Sequence, residues 1–348
     1  MRVLADLHHQ ALYHSLLLLF EDRLGYEVYR PIGTEWHTNG FWKVYEHPAT
    51  VGQFLGLQQA YKQPTDVHGQ PLPESAQVNR HYREEDGIYY VWDAVHNRTH
   101  RAITLDKFKS MQFDILISSL PQHIAPFNTL IGMYQHSAKH IFQVGNAWGH
   151  QPGVNNILSS TAPFAVPPHI NICFYHQEFD LNVFKYEPPA CNNVVHSYVH
   201  YMKQPELMDE VASYFPGWTW KRYGAGFPEA LHSTQQMADA YRRSAWTWHF
   251  KPEGDGFGHT IHASYACGRP AIINFGHYRG KAGSYLLEDM VTAIDLGRPK
   301  PDLIKTLQHC SQPSIHKQMC ENAYNKFKQV VDFDAEAVRI KQFIDRLK

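Results

Sequence analysis

The feature that most constrains the fold is a repeated alternation of short apolar runs with stretches of helical periodicity. At the start of the chain, MRVLADL predicts a strand, ALYHSLLLLFEDRLG predicts a helix ending at Gly25, and YEVYRPIG predicts a second strand. A strand, a helix and a strand at this spacing form a parallel βαβ unit. We therefore expect an α/β protein in which helices cover mainly parallel sheets.

The alternation is interrupted once and then resumes. Residues 34–113 are rich in aromatic and polar side chains with scattered prolines, so we interpret them as an insertion. Within it, GIYYVWDAVHNRTHRAITL predicts a β-hairpin that turns near Asn97. Beyond the insertion, FDILISSLP, KHIFQVGN and HINICFYH predict strands, and FNTLIGMYQ predicts a helix.

A second series of alternating elements follows the proline-containing segment KYEPPACNN, which we interpret as a linker. VVHSYVHYM, GWTWKRYG, AWTWHFKP and PAIINF predict strands, with PELMDEVASYF and STQQMADAYRRS as helices between them. We predict a first domain at 1–187, a second domain at 188–330 and a C-terminal helix at 331–348.

Composition limits the compartment and the partners. The 348 residues are 43% hydrophobic and carry a formal net charge of -1, so no general basic excess indicates a nucleic-acid partner. Five cysteines without short paired spacing favour a reducing cytoplasm, and we expect no membrane insertion because residues 16–20 are too short an apolar run. The 24 histidines lack nearby cysteine or carboxylate sets, so we expect no metal. We also predict no bound cofactor.

The stretch EGDGFGHTIHASYACGRP places Gly254, Gly256 and Gly258 directly before a helix that we expect to stop at Gly268. A glycine-rich turn that leads into a helix lets a ligand approach the backbone, and the N–H groups of the helix start favour an anion such as phosphate. A tight turn without any ligand is the alternative, because this glycine spacing alone is a weak motif.

The second half of the chain resembles the donor domain of the GT-B glycosyltransferases (group 1). The similarity is carried by DGFG at 255–258, by ACGRPAI at 266–272 with the same separation as in that family, and by MADAYRRSAWTWHFKP upstream. YHQEFDLNVF, before the linker, is similar to another segment of the family. The resemblance covers roughly residues 170–300 and implies a GT-B fold, in which two Rossmann-like domains face a cleft.

The resemblance implies a nucleotide-diphosphate sugar as the donor substrate, with a UDP-sugar favoured. Asp255 would hold hydroxyls of the transferred sugar, or would only form the turn. His259 and Thr260 would meet the diphosphate, or a polar side chain there would cap the helix. The other implied donor contacts are the loop glycines, a cation after one of two strands, and an aromatic ring beside the base: Gly256, Gly258, Lys203, Arg222 and Phe227.

One position departs from the family pattern, which has two acidic residues eight positions apart. Asp255 matches the first of them, but Ala263 stands at the second, where the family usually holds the donor ribose. Another carboxylate, such as Glu229 or Glu288, would then hold the ribose, or the donor chemistry would differ from that of the family. A third alternative is a member that binds a sugar nucleotide without catalysis.

Four histidines follow predicted strands of the first domain: His8, His9, His123 and His150. Related enzymes place a histidine or carboxylate near the reacting sugar, so His150 and His9 are the favoured catalytic candidates and Asp6 is the carboxylate alternative. A structural role for each histidine is the simpler reading.

Together these features predict a hexosyl- or pentosyltransferase that moves a sugar from a nucleotide diphosphate to a hydroxyl group. The acceptor stays open between hydroxymethylcytosine in DNA, as used by phage glucosyltransferases of similar size, and a glycan or small molecule. A non-catalytic protein that binds sugar nucleotides or carbohydrate is the rival hypothesis.

Overall fold

A computed structural model describes residues 1–7, 10–31, 82–93, 95–145, 149–198, 205–224, 227, 229–252 and 254–347. Most of the predicted insertion, residues 34–81, lies outside this described part, as do His9 and Lys203. No helix in the described part is long and apolar enough to cross a bilayer.

Fourteen strands are described, and most are short and buried. They are β1 Arg2–Asp6, β2 Glu27–Pro31, β3 Tyr82–Glu85, β4 Ile88–Asp93, β5 Arg98–Ile103, β6 Ile115–Ser118, β7 Lys139–Val144, β8 Asn156–Ser159, β9 Asn171–Phe174, β10 Val194–Ser197, β11 Thr219–Arg222, β12 Trp246–His249, β13 Ala271–Ile273 and β14 Ala293–Asp295.

The helices alternate with these strands. They are α1 Gln10–Leu17, which continues as a wider π-type turn over Leu18–Arg23, α2 Leu105–Ser110, α3 Ile124–Tyr134, α4 Pro205–Ala212, α5 Thr234–Arg243, α6 His259–Ala266, α7 Phe275–Tyr278, α8 Lys300–Cys310, α9 Pro313–Val330 and α10 Phe333–Ile344. Short 3₁₀ turns precede α3 and follow α7, at Pro121–His123 and Ala282–Leu286.

The chain divides into two compact units. The first unit comprises the described residues up to Glu178 and those from Phe333 onwards, and the second comprises Phe179–Asp332. The last helix, α10, consequently belongs to the first unit, where its Ile340 and Phe343 pack in the core. The domain boundaries at residues 187 and 330, which we inferred from the sequence, remain a prediction.

The first unit contains a nine-stranded sheet in the order β3-β4-β5-β2-β1-β6-β7-β8-β9. β4 runs antiparallel to both of its neighbours, and the other pairs are parallel. Apolar side chains from α1 and α10 cover one face, whereas those of α2 and α3 cover the other. Burial on both faces explains why the parallel strands are continuous apolar runs rather than alternating ones.

Two details of this sheet refine the sequence interpretation. The hairpin predicted near Asn97 is present as β4 and β5, and Asn97 adopts a left-handed conformation with φ of 53° at the turn. β5 then pairs with β2 in parallel, so this part of the predicted insertion is a component of the sheet. β8, over residues 156–159, was not expected, because four residues are too few to show periodicity.

The second unit contains a five-stranded sheet in the order β11-β10-β12-β13-β14, and all of its pairs are parallel. This order places the first strand of the unit in the interior, as in doubly wound nucleotide-binding sheets. The carboxyl ends of the strands form one edge, where ligands of such sheets bind. β12 lies at the centre of the sheet, and the glycine-rich loop leaves from its carboxyl end.

The helix after that loop ends where the sequence predicts. Gly268 has φ of 70° and donates its N–H to the Tyr265 carbonyl, while Arg269 donates its N–H to the Ser264 carbonyl. This pair of bonds satisfies carbonyls at the end of α6. Pro270 follows directly and leads into β13.

Candidate functional site

The glycine-rich loop joins the end of β12 to the start of α6. Gly254 and Gly258 both have left-handed backbones, with φ of 63° and 82°. A side chain on Gly254 would overlap the carbonyl oxygen of His277, so this glycine is required by close backbone contact as well as by conformation. Gly256 is buried, and its carbonyl accepts a hydrogen bond from the Ala282 N–H at 3.2 Å.

Gly258 is the N-cap of α6, so no side chain caps this helix. The capping interpretation of His259 and Thr260 is therefore wrong. The half-buried His259 ring lies 5.6 Å from the Phe179 ring, and the Thr260 hydroxyl hydrogen-bonds the hydroxyl of Tyr241. A helix start without a side-chain cap presents backbone N–H groups that an anionic ligand can meet.

Asp255 lies in the middle of the loop and is held by three side chains. Its Oδ2 is 3.0 Å from His249 Nε2 and accepts a hydrogen bond from the Tyr278 hydroxyl at 3.0 Å, and its Oδ1 pairs with Lys251. Burial acts to raise the pKa of this carboxyl, but the His249 hydrogen bond and the Lys251 charge outweigh it and hold the pKa well below its usual range. Asp255 is therefore ionised at neutral pH, with about a quarter of its side chain (23%) still exposed.

His249 and Tyr278 are contacts that sequence reasoning missed. His249 is the last residue of β12 and is almost fully buried, and Tyr278 ends α7 and is fully buried. The position of His249 at a strand end was a usable signal. Tyr278 gave none, because it reaches Asp255 only through the packing of α7.

The predicted donor cations and base contacts are only partly described. Arg222 ends β11 and pairs with Asp209 at 2.5 Å. Phe227 is half-buried, whereas Ala225 and Gly226 beside it lie outside the described residues. Lys203 does as well, so its role stays a prediction.

A buried alanine, Ala263, occupies the position of the second acidic residue of the family pattern. Ala263 is buried in α6 with 1% of its surface exposed. The two proposed substitutes both have lysine partners, since Glu229 pairs with Lys221 at 3.0 Å and Glu288 pairs with Lys326.

In the first unit, Asp6 ends β1 and is buried close to His123. The distance between Asp6 Oδ2 and His123 Nδ1 is 3.7 Å. Burial raises the pKa of Asp6 from its ordinary 3.8 to about 7, and the charge of Arg30 opposes this only in part. His150 follows β7 on a loop and is half-buried, while His8 and His9 lie outside the described residues. The structure thus brings Asp6 and His123 together at one strand end.

No metal cluster is present in the parts of the chain that the structure describes, since no three His, Cys, Asp or Glu side chains converge there. All five cysteines are free thiols.

Comparison with known proteins identifies the fold. No protein-family model matches the chain. No curated protein matches its sequence either. Among solved structures, HepE of Anabaena in complex with UDP and glucose matches with a TM-score of 0.61 and 11% identity, over 99% of each chain. TarM matches with a TM-score of 0.60 and 10% identity, over 99% of this chain and 98% of TarM.

A third structure, the pneumococcal O-GlcNAc transferase GtfA in complex with UDP and GlcNAc, gives a TM-score of 0.55 and 8% identity over 99% of this chain and 98% of GtfA. The similarity extends over nearly the whole chain in each case. The two parallel-sheet units therefore have the fold of the GT-B glycosyltransferases.

Proposed function

We propose that the protein is a glycosyltransferase that uses a nucleotide-diphosphate sugar, with a UDP-sugar as the donor. The observation that carries the proposal is the loop after β12, where the start of α6 has a left-handed glycine and no side-chain cap at the ligand edge of a parallel sheet. HepE and GtfA, which share the fold, have UDP bound in their structures. A diphosphate is the ligand that this helix start suits best.

The proposal gives a distinct role to each residue of the loop. Gly256 and Gly258 allow the phosphates to approach the backbone, and the N–H groups at His259 and Thr260 neutralise their charge. Asp255 is ionised and oriented by three partners, so it accepts hydrogen bonds from hydroxyls of the transferred sugar. The remaining proposed donor contacts are the cations Arg222 and Lys203 and the ring of Phe227.

The proposed reaction breaks the bond between the anomeric carbon and the phosphate oxygen and forms a bond from that carbon to the acceptor oxygen. The nucleoside diphosphate leaves with the bonding electrons, and the helix start and a basic side chain stabilise the charge that develops on it. The acceptor hydroxyl loses its proton. Asp6, His150 and His9 are the groups of the first unit proposed to serve the acceptor, and Asp6 suits proton transfer because its pKa of about 7 lies near the working pH.

One observation favours the rival, a protein that binds sugar nucleotides without turnover. Ala263 is buried where the family has an acid, and its methyl side chain cannot accept a hydrogen bond from a ribose hydroxyl. The two hypotheses differ in one measurable property, because an active transferase releases some sugar from its donor to water whereas a binding protein does not.

The test is to incubate the protein with UDP-glucose, UDP-N-acetylglucosamine and GDP-, ADP- and TDP-sugars, and to quantify the released nucleotide. We expect one donor to be turned over and Asp255→Asn to reduce the rate at least tenfold. Asp302→Asn, on the exposed start of α8, is the matched control and should retain the wild-type rate. Donor binding without any turnover would support the rival.

The acceptor is tested in the same reactions. One arm contains duplex DNA with hydroxymethylcytosine beside unmodified duplex, and the other contains glycans and small hydroxyl compounds. Added hexose or pentose mass on the modified nucleoside, dependent on Asp255, assigns DNA as the acceptor. Mass added only in the second arm assigns a glycan or small molecule.

A further inference from the structure

In the described part of the first unit, no carboxylate pairs with the guanidinium of Arg30. It lies on β2, is half-buried, and its Cζ stands 5.3 Å from the centre of the Tyr13 ring. Within the described part of the chain the guanidinium of Arg30 forms no ion pair and no hydrogen bond. Such a half-buried charge is held by the protein at a cost unless a ligand pairs with it.

The other guanidiniums of the first unit that stack on aromatic rings show the usual arrangement. Arg23, Arg83 and Arg101 lie over aromatic rings, at 5.9, 4.3 and 5.7 Å from the ring centres. Each of them also pairs with a carboxylate, at 2.6, 2.6 and 2.5 Å. Arg30 differs from all three because no described carboxylate pairs with it, so stacking on an aromatic ring does not explain why its charge is unpaired.

Two buried polar atoms beside Arg30 have no hydrogen-bond partner among the residues that the structure describes. They are the Tyr13 hydroxyl and His100 Nε2, in residues that are only 6% and 7% exposed. Their rings meet edge to face with 5.7 Å between centres. Buried polar groups are nearly always hydrogen-bonded, and leaving one unpaired costs about 1–3 kcal/mol. Two such atoms next to one unpaired cation indicate a missing ligand.

The place of these residues in the sheet supports a ligand site. Arg30 is the penultimate residue of β2, near its carboxyl end, and pairs in register with Ala102 of the parallel strand β5. His100 lies two residues before Ala102, so its side chain is on the same face as that of Arg30. This is the edge at which parallel sheets bind ligands.

The charges around this position favour an anion. Burial, followed by the Arg30 charge, lowers the pKa of His100 to about 3, so the imidazole is neutral at pH 7 and one of its nitrogens can donate. The Arg30 charge also acts on Asp6, whose pKa burial raises to about 7, so this acid is partly protonated at neutral pH. Arg98 pairs with Glu21 and Asp22, and Arg101 pairs with Glu21, so among the described arginines of β2 and β5 only Arg30 has no carboxylate partner.

We propose that Arg30, Tyr13 and His100 form an anion-binding site that holds a carboxylate or phosphate group of the acceptor. The identity of the ligand as the acceptor rests on the proposed function, whereas anion binding by these three residues does not. The guanidinium would bind two oxygens of the anion, and the Tyr13 hydroxyl and the imidazole would donate to the others.

The test is a calorimetric titration of the protein, with UDP present, using glucose 6-phosphate, glucuronate and glucose as probes. We expect one charged sugar to bind and neutral glucose to bind at least about tenfold more weakly. Phosphate and carboxylate sources are distinguished by which charged sugar binds more tightly. Arg30→Gln should lose at least tenfold in affinity, whereas Arg83→Gln, the stacked guanidinium with a partner, should bind as the wild type.

Tyr13→Phe keeps the stacked ring and removes the unpaired hydroxyl. It should melt at the same or a higher temperature in buffer without anions, yet bind the charged sugar several-fold more weakly. Equal affinity of Arg30→Gln and wild type, or no binding of either charged sugar, would overturn the anion site. If UDP fails to bind while the Arg30-dependent titration persists, the proposed donor function fails and the anion site stands.

Discussion

Replacing Gly254 by alanine tests whether the loop after β12 is fixed by backbone contact. Gly254 has φ of 63°, and a Cβ built on it would overlap the His277 carbonyl oxygen and lie 3.3 Å from the His277 carbonyl carbon. The oxygen belongs to the backbone of α7 and cannot rotate away as a side chain would. Gly280 provides the matched control, because it has φ of 71° and nothing within 4 Å of a Cβ.

The two substitutions share one free-energy term and differ in another. Alanine in a left-handed conformation costs roughly 1–2 kcal/mol in either position. At Gly254 the overlap also displaces packed backbone, which typically costs a further 1–3 kcal/mol. We therefore expect Gly280→Ala to lower the free energy of unfolding by about 1–2 kcal/mol, and Gly254→Ala to lower it by about 2–5 kcal/mol.

The free energies are measured by urea unfolding of both variants and the wild type, followed by tryptophan fluorescence, and the nucleotide affinity of each folded protein is measured in parallel. Gly254→Ala should also weaken nucleotide binding, because relief of the overlap moves Asp255, the next residue. Equal stability of the two variants would refute the contact between the loop and α7.

Three further predictions address single side chains. Asp255→Asn should reduce turnover far more than it weakens binding of the bare nucleoside diphosphate, measured by steady-state kinetics and calorimetry; equal losses would indicate a purely structural carboxylate. Asp6→Asn should stabilise the protein by up to about 4 kcal/mol at pH 8 and by little at pH 3. The reason is that between pH 4 and 7 the folded protein retains a proton on Asp6 that the unfolded chain loses. The free energy of unfolding of the wild type therefore falls as the pH rises from 4 to 7. A wild-type unfolding free energy that is constant from pH 4 to 7 would contradict this. Arg269→Met should destabilise by about 3–5 kcal/mol, since the buried guanidinium donates to carbonyls at the ends of α5 and α6; the exposed Arg279→Met is the control in the same denaturation assay.

The order of elements was predictable from the sequence because strands buried on both faces read as apolar runs. β1, β6 and β7 are of this kind, and each lies where its run predicts. The glycine-rich loop was predictable for another reason, since left-handed backbone before a helix needs glycine, and Gly258 has that conformation. The order of the elements and the position of the loop were therefore predictable from local sequence patterns.

What the sequence did not reveal depends on packing between distant segments. Tyr278 meets Asp255 across 23 positions of the chain. Arg30 has no ion-pair partner among the described residues because none of their carboxylates packs against its guanidinium. Nothing in the local sequence distinguishes Arg30 from Arg83, which is stacked in the same way and has a partner. Contacts of this kind follow from the assembled sheet and not from periodicity.

The most direct test of the account is a calorimetric titration with uridine, UMP, UDP and UDP-glucose. Because the start of α6 is proposed to hold the diphosphate, we predict that UDP binds at least tenfold more tightly than UMP and that uridine binds most weakly. At one hundred times its dissociation constant UDP should also stabilise the protein by about 2.7 kcal/mol. Equal affinity for uridine and UDP, or no binding by any nucleotide when GDP, ADP and TDP are included, would contradict the proposed phosphate site.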